Sequence, residues 1–268
     1  MNPKKLFISA DIEGTCGIAA WQETTVGNPY SEYFLTQMSK EVAAAAQGAL
    51  DVGYSDVVVK DAHDTARNIY PNLLPKQAKI LRNWTQNPYC MVAGLDVSFD
   101  AAIFTGYHSS GNSAGNPLAH TMTTDVFSIK FNGKLMSEFM LNAYTAAYLG
   151  VPVVMVTGDE YLCETARELV PKITTVAVSK GIGGGSLSIH PEAAIEKIRE
   201  GAKIALSRNP AECKITLPTS FSIQVVYKRQ EEAYRCSFFP GGNLFDANTV
   251  VFSTDNYKDM LAFCHFCL

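Results

Sequence analysis

The chain has 268 residues, 47% hydrophobic and 18% charged, so it can bury a sizeable core and is not a disordered segment. Its formal net charge of -4, with no basic tail or stripe, argues against nucleic acid and anionic membrane as partners. No apolar run approaches membrane-spanning length, and the short one after Lys4 and Lys5 meets Asp11 too soon for a signal peptide, so the expected location is the cytoplasm.

Leu6 to Ala10 reads as a buried strand and ends in two acids, Asp11 and Glu13, followed by Gly14. While the backbone stays extended, residues two apart point to the same side, so the two carboxylates enter a common space. Burying both is costly without a cation nearby. A polar loop from Thr15 to Tyr30 leads into a helix from Ser31 to Ala49. Asp56 to Asp61 is a short β-branched strand, followed by Ala62, His63 and Asp64. Strand, helix, strand implies parallel pairing with a right-handed crossover. His63 is then expected beside Asp11 and Glu13, at the carboxyl edge where open α/β sheets collect ligands.

Residues 68–95 carry three prolines, with room for a short helix and a short strand. Ala101 to Tyr107 repeats the earlier form, an apolar strand ending in a histidine, His108. A Ser, Gly and Asn loop from Ser109 to Asn116 precedes His120 and Met122. Val126 to Met136 has the pattern of a hairpin turning on Asn132 and Gly133. Ser137 is a helix N-cap, and Glu138 falls in the first turn, where the helix dipole favours an acid even without a metal. Val151 to Thr157 is a central strand, Asp159 and Glu160 open a helix to about Leu169, and Ile173 to Val178 is a further strand. The glycine run Gly181 to Gly185 lacks the ending of a phosphate loop and the spacing of a dinucleotide fingerprint, and reads as a surface turn. Pro191 to Leu206 is a helix.

From about Glu212 the texture changes to strand, helix, strand, helix. The expected fold is α/β, a doubly wound and mostly parallel sheet over residues 1–211, with a small C-terminal α+β lobe of βαβα order over residues 212–268. Seven scattered cysteines suggest no disulfide framework. Cys264 and Cys267 have the spacing of half a thiolate metal site, but no second pair exists, and a structural role is expected.

His63, His108 and His120 follow strand ends or adjacent loops, in the same regions as Asp11, Glu13 and Glu138. Two histidines plus three carboxylates are too many donors for one tetrahedral ion with an open position. They suit two divalent ions about 3.5–4 Å apart, bridged by a carboxylate and a water. Nitrogen and oxygen ligands without thiolate are compatible with zinc, manganese or cobalt. Hydrolysis by an activated hydroxide is the natural reaction class. His190 and His265 read as structural.

At this point the chain resembles the DppA-type D-aminopeptidases, a family of dinuclear zinc metallopeptidases. The resemblance lies in Ser9-Ala10-Asp11-Ile12-Glu13-Gly14, Asp61-Ala62-His63, Gly106-Tyr107-His108, Ala119-His120-Thr121-Met122, Gly133 to Asn142, and Val151 to Asp159. The tail after Glu212 matches only in its order of elements. The resemblance implies metal ligation by Asp11, Glu13, His63, His108 and Glu138, two zinc ions, and Asp11 as the bridging carboxylate. The family's catalytic position falls on His120, sometimes described as a nucleophile. Moving a proton or stabilising an oxyanion suits an imidazole beside a metal-activated hydroxide better. The expected activity is removal of an N-terminal residue, D-configured as in D-Ala, from short peptides or amides. The resemblance also implies a ring-shaped homo-oligomer, a homodecamer, with sites facing an internal chamber. Asp64 and Glu160 are loose candidates for holding the substrate amine. The alternative is a dinuclear phosphoesterase or another amidohydrolase, for which Lys60 and Arg67 are the only obvious cations near the second strand. A non-catalytic solute-binding or metal-carrier protein is the third reading.

Overall fold

The structure is a computed structural model that describes residues 3–268. Strand β1 (Lys4–Ala10) leads through a long loop to helix α1 (Glu32–Asp51), then β2 (Tyr54–Asp61), β3 (Ala78–Leu81) and β4 (Ala101–Tyr107). A hairpin of β5 (Val126–Phe131) and β6 (Lys134–Leu135) precedes α2 (Glu138–Tyr148), β7 (Val153–Asp159) and α3 (Glu160–Leu169). Next come β8 (Thr174–Ile182), β9 (Gly185–Ser188) and α4 (Pro191–Ser207). The tail holds β10 (Phe221–Tyr227), α5 (Gln230–Cys236), β11 (Asn243–Leu244), β12 (Thr249–Thr254) and α6 (Tyr257–Cys267).

The larger sheet has seven strands in the order β3-β2-β1-β4-β7-β8-β9. All its pairs are parallel except β8 with β9. This is the expected doubly wound α/β arrangement. Strands β1, β4 and β7 are buried from Leu6, Ala101 and Val153 to their ends, as strands covered on both faces must be. The chain winds outward from β1 to β2 and β3, then returns to the other side of β1 as β4. That reversal leaves a crevice beyond the carboxyl ends of β1 and β4.

Two glycines bring those ends together. A Cβ at Gly14 would stand 1.8 Å from the Tyr107 carbonyl oxygen, and one at Gly106 would stand 2.2 Å from that of Asp11. The Gly14 amide donates to the Gly106 carbonyl at 2.8 Å. Only glycine permits backbones this close. Gly48 lets α1 lie on α4 in the same way, its missing Cβ facing the Arg199 carbonyl. The run from Gly181 to Gly185 closes the turn between β8 and β9, as a surface turn should.

The second sheet is antiparallel, in the order β11-β12-β10-β5-β6. It is not built from the tail alone, because β5 pairs along β10, with Ile129 opposite Val225 and Phe131 opposite Ile223. A boundary at residue 211 therefore divides the members of one sheet. An isolated hairpin is marginal in water. Here its buried Val126, Ile129 and Phe131 join Phe221, Ile223 and Val225 in a core that α5 and α6 complete, with the Phe252 and Phe263 rings stacked at 4.9 Å. The turn at Asn132 and Gly133 has φ of 47° and 81°, as a type I′ turn requires.

All seven cysteines are free. Cys264 lies against Met260 and Cys267 against Cys236, and no group of three potential ligands forms around them among the described residues. Among those residues no helix is long and apolar enough to cross a membrane.

Candidate metal centre

Asp11 follows β1, His63 follows β2, and His108 follows β4. Parallel pairing brings all three to one edge. Glu13 sits on the turn fixed by Gly14, and Asn116 Nδ2 donates to its carbonyl at 3.0 Å. Glu138 opens α2, whose N-cap Ser137 accepts from the Met140 amide. His120 reaches the group from the loop before the hairpin. Asp11, Glu13, His108 and Glu138 are each at most 3% exposed, and His63 is 8% exposed.

The three imidazoles are oriented alike. His63 Nε2 lies 3.2 Å from the Thr24 carbonyl, His108 Nδ1 lies 2.9 Å from that of Ser109, and His120 Nδ1 lies 2.9 Å from that of Leu118. A carbonyl only accepts, so each of these nitrogens donates its proton there. The opposite nitrogen of each ring then turns to the carboxylates, the arrangement that metal-ligating histidines share. His63 Nδ1 stands 3.4 Å from Asp11 Oδ1 and 3.2 Å from Glu13 Oε2. His108 Nε2 stands 3.6 Å from Asp11 Oδ2 and 3.5 Å from Glu138 Oε2. His120 Nε2 stands 3.6 Å from Glu138 Oε1 and 4.0 Å from Glu13 Oε1, and its ring stacks on His108 at 4.4 Å.

Most of these separations are too long for good hydrogen bonds. They match two ligands of one cation, since donors about 2.0–2.1 Å from a tetrahedral zinc stand roughly 3.3 Å apart. Three overlapping triads have the spacing to hold a metal: Asp11, Glu13 and His63; Asp11, His108 and Glu138; Glu13, His108 and His120. The first two share Asp11 through its two different oxygens. Asp11 Oδ2, Glu13 Oε2 and His108 Nε2 are buried without a hydrogen-bond partner. Such orphaned donor atoms, facing one another in a nitrogen and oxygen set, fit a dinuclear zinc site.

The electrostatics describe the same congestion. Burial and the neighbouring Glu13 charge raise the Asp11 carboxyl well above its ordinary value. Burial also opposes ionisation of Glu13, but His63 pulls it well below the usual carboxylate range. Burial disfavours the charged His108, yet Glu138, Glu13 and Asp11 lift it to about 10. Glu138 falls to about 2 against the penalty of burial, because His108 and His120 face it. Protons and cations compete for these atoms.

A cavity of about 360 Å³ opens onto the centre, and Asp64 is on its lining. Glu160 is not on that lining and pairs instead with Lys180 at 2.7 Å. Lys60 is fully buried, its ammonium donating to the carbonyls of Asp61 and Asn83. Three supports had no mark in the pattern of strands and histidines. Asp159 accepts from the Ser109 amide and hydroxyl, Asn116 holds Glu13, and the Met122 amide donates to Glu138 Oε1 at 2.7 Å. The place of Asp159 just before a helix was the one available signal, since that is where a capping acid belongs.

A doubly wound sheet with a buried, two-cation set of histidines and carboxylates at its switch point defines a metal-dependent hydrolase. The chain belongs to peptidase family M55, the D-aminopeptidases, whose profile matches residues 4–266. It is 30% identical over 258 residues to a D-aminopeptidase of Bacillus subtilis (strain 168), covering 96% of this chain and 93% of that protein. A solved structure described as the Zn-dependent D-aminopeptidase DppA from Bacillus subtilis, a self-compartmentalizing protease, superposes with a TM-score of 0.88 at 28% identity. That likeness covers 98% of this chain and 97% of the other. The chain is thus a zinc-dependent, D-aminopeptidase-like hydrolase.

Proposed function

We propose that the enzyme removes the N-terminal residue, D-configured, from short peptides or amides, at two divalent ions held by Asp11, Glu13, His63, His108 and Glu138. The observation that carries this reading is the pair of ligand triads that meet on the two oxygens of Asp11. When bound, such a pair of cations polarises the scissile carbonyl and acidifies a water molecule. The chain's own residues do the rest. His120 keeps its Nδ1 proton on the Leu118 carbonyl and turns Nε2 toward the cavity side of Glu13 and Glu138. From there it takes up a proton, hands it to the leaving amine, or donates a hydrogen bond to the oxyanion. Asp64, on the cavity lining, is suited to meet the substrate's ammonium group. The phosphoester alternative has less support, because no lysine or arginine lines the cavity.

We further propose a ring-shaped homo-oligomer, a homodecamer, with its sites facing a chamber. The self-compartmentalizing relative supports this, as do the exposed Phe238, Phe245 and Phe266 on the second sheet's lobe. Seven free cysteines suit the reducing cytoplasm as its location.

Glu138→Gln and His63→Ala are each expected to cut turnover of a D-alanyl peptide by roughly a hundredfold or more and to lower bound zinc per chain, with the circular dichroism unchanged. Metal content, turnover and circular dichroism measured together check this. Full activity after exhaustive chelation would sink the reading, as would turnover of phosphoesters but of no peptide.

A further inference from the structure

The cavity has two unlike walls. One is the metal centre. The other is apolar and is made by Trp21, Trp84, Cys90, Met91 and Met122. The chain contains two tryptophans, and both are here. Trp21 meets His120 edge-on at 5.3 Å, so the apolar wall is continuous with the catalytic one.

Trp84 is fixed by hydrogen bonds at both its ring and its backbone. Its indole N–H donates to the Asp64 carbonyl at 2.6 Å, and its backbone amide donates to Asn83 Oδ1 at 2.8 Å. The Lys60 ammonium lies 4.4 Å from its ring centroid. Lys60 is fully buried and makes no ion pair with a carboxylate, so the nearby Asp61 charge, two carbonyls and the ring face together offset the cost of burying its ammonium. The loops that deliver these groups are also held in an uncommon backbone form. Asp64, Asn83, Cys90 and Met122 all have positive φ, between 42° and 67°. Such non-glycine residues collect where a site is preorganised.

From this we infer that Trp84, with Trp21 and Met122, forms a specificity subsite for a large apolar side chain on the substrate's N-terminal residue. This rests on the aminopeptidase reading above and names its substrate class as leucyl- and phenylalanyl-like residues rather than alanyl. In a cavity of about 360 Å³ an alanine methyl would leave most of the apolar lining beside the metal centre uncovered. A leucine or phenylalanine side chain would cover more of it, and ligand pockets gain their affinity from such apolar contact.

Aminoacyl amides test this cleanly, because their leaving group carries no side chain. With the zinc-loaded full-length protein, kcat/KM is expected to be at least tenfold higher for the amides of D-leucine and D-phenylalanine than for that of D-alanine. Trp84→Ala is expected to reduce this preference by tenfold or more, chiefly through KM, and Trp84→Phe to restore most of it. Because both tryptophans line the cavity, free D-phenylalanine should shift the intrinsic emission saturably, with D-alanine leaving it unmoved at the same concentration. Equal or better turnover of the D-alanine amide overturns the subsite but leaves the aminopeptidase reading intact. So does a preference that survives Trp84→Ala. Failure to hydrolyse any amide or D-residue peptide overturns the aminopeptidase reading itself. The emission titration then still decides the subsite, and no response to D-phenylalanine rejects it.

Discussion

Glu41 shows how a single buried acid ties the first helix to the catalytic edge. It sits on α1, fully enclosed, and its Oε1 accepts from the Cys16 amide and from Gln37 Nε2, both at 3.0 Å. Cys16 lies on the turn just after Glu13, so this bond fixes the base of the loop that carries Glu13. Oε2 has no partner. Burial pushes the carboxyl up to about 7, with the two hydrogen bonds only partly opposing it. The folded state therefore holds its proton more tightly than the unfolded chain does. The stability from the neutral acid is complete below about pH 4.5 and is lost as pH rises through about 7. A rise from 4.5 to about 7 makes the charged form roughly 3 kcal/mol less stable when folded. Glu41→Gln keeps an acceptor for Cys16 and cannot ionise. Its stability should match the wild type near pH 4 and exceed it by up to roughly 3 kcal/mol at pH 8. Denaturant melts across that range check this, and a difference that does not vary with pH would show that Glu41 does not titrate there.

At the scale of elements, the start of α3 supports the end of β4. Asp159 Oδ1 caps α3 through the Leu162 amide at 2.8 Å, while Oδ2 accepts from Ser109 twice. The Ser109 carbonyl in turn receives the His108 ring proton. Asp159→Ala is expected to cost roughly 3 kcal/mol, from a lost cap and two buried donors left unpaired. It should also weaken zinc binding about tenfold by freeing His108 to rotate. Thermal melts and metal titration measure the two effects separately, and an unchanged zinc affinity would show that Ser109 does not orient the ring. The convergence of Asp11, His63 and His108 was readable from the chain because each stands within two residues of the end of a strand, and parallel pairing carries such positions to one edge. Glu138 was readable as a helix start through Ser137, but a first-turn acid is favoured by the dipole whether or not it binds a metal. The pairing of β5 with β10 was not readable. Its two strands are far apart in the chain, and local alternation does not name a partner. Trp21 and Trp84 left no pattern either, since they lie on loops without periodicity whose course depends on left-handed residues such as Asn83. The bond of Glu160 to Lys180 reflects side-chain reach across β8, which strand order alone does not reveal.

For the molecule as a whole, the metal centre lies where its two sheets are joined. Asp11, Glu13, His63 and His108 belong to the ends of the parallel sheet, but Glu138 opens the helix that follows the hairpin of the antiparallel one. Met136, at the end of that hairpin, accepts from Thr121, and the Met122 amide holds Glu138. A cation shared by Asp11, His108 and Glu138 would therefore cross-link the sheets, as well as compensate two buried carboxylates. Anything that binds only the folded form stabilises it, by about 2.7 kcal/mol at a hundredfold excess over the dissociation constant. For a chain of this size that corresponds to a rise in Tm of roughly 5–10 °C. Adding zinc to chelator-treated protein should produce such a rise and sharpen unfolding into one transition reported alike by both sheets. In Glu138→Gln the rise should shrink to a small fraction, because the other four residues proposed to hold the cations all stand at the edge of one sheet. Asp64→Asn, which alters a residue on the cavity lining but outside the ligand triads, should keep it in full. Differential scanning calorimetry of the three proteins, with and without zinc, makes the comparison. A zinc-induced rise of the same size in Glu138→Gln would mean that the cation stabilises the parallel sheet alone, and that the two sheets are held together by their packed cores.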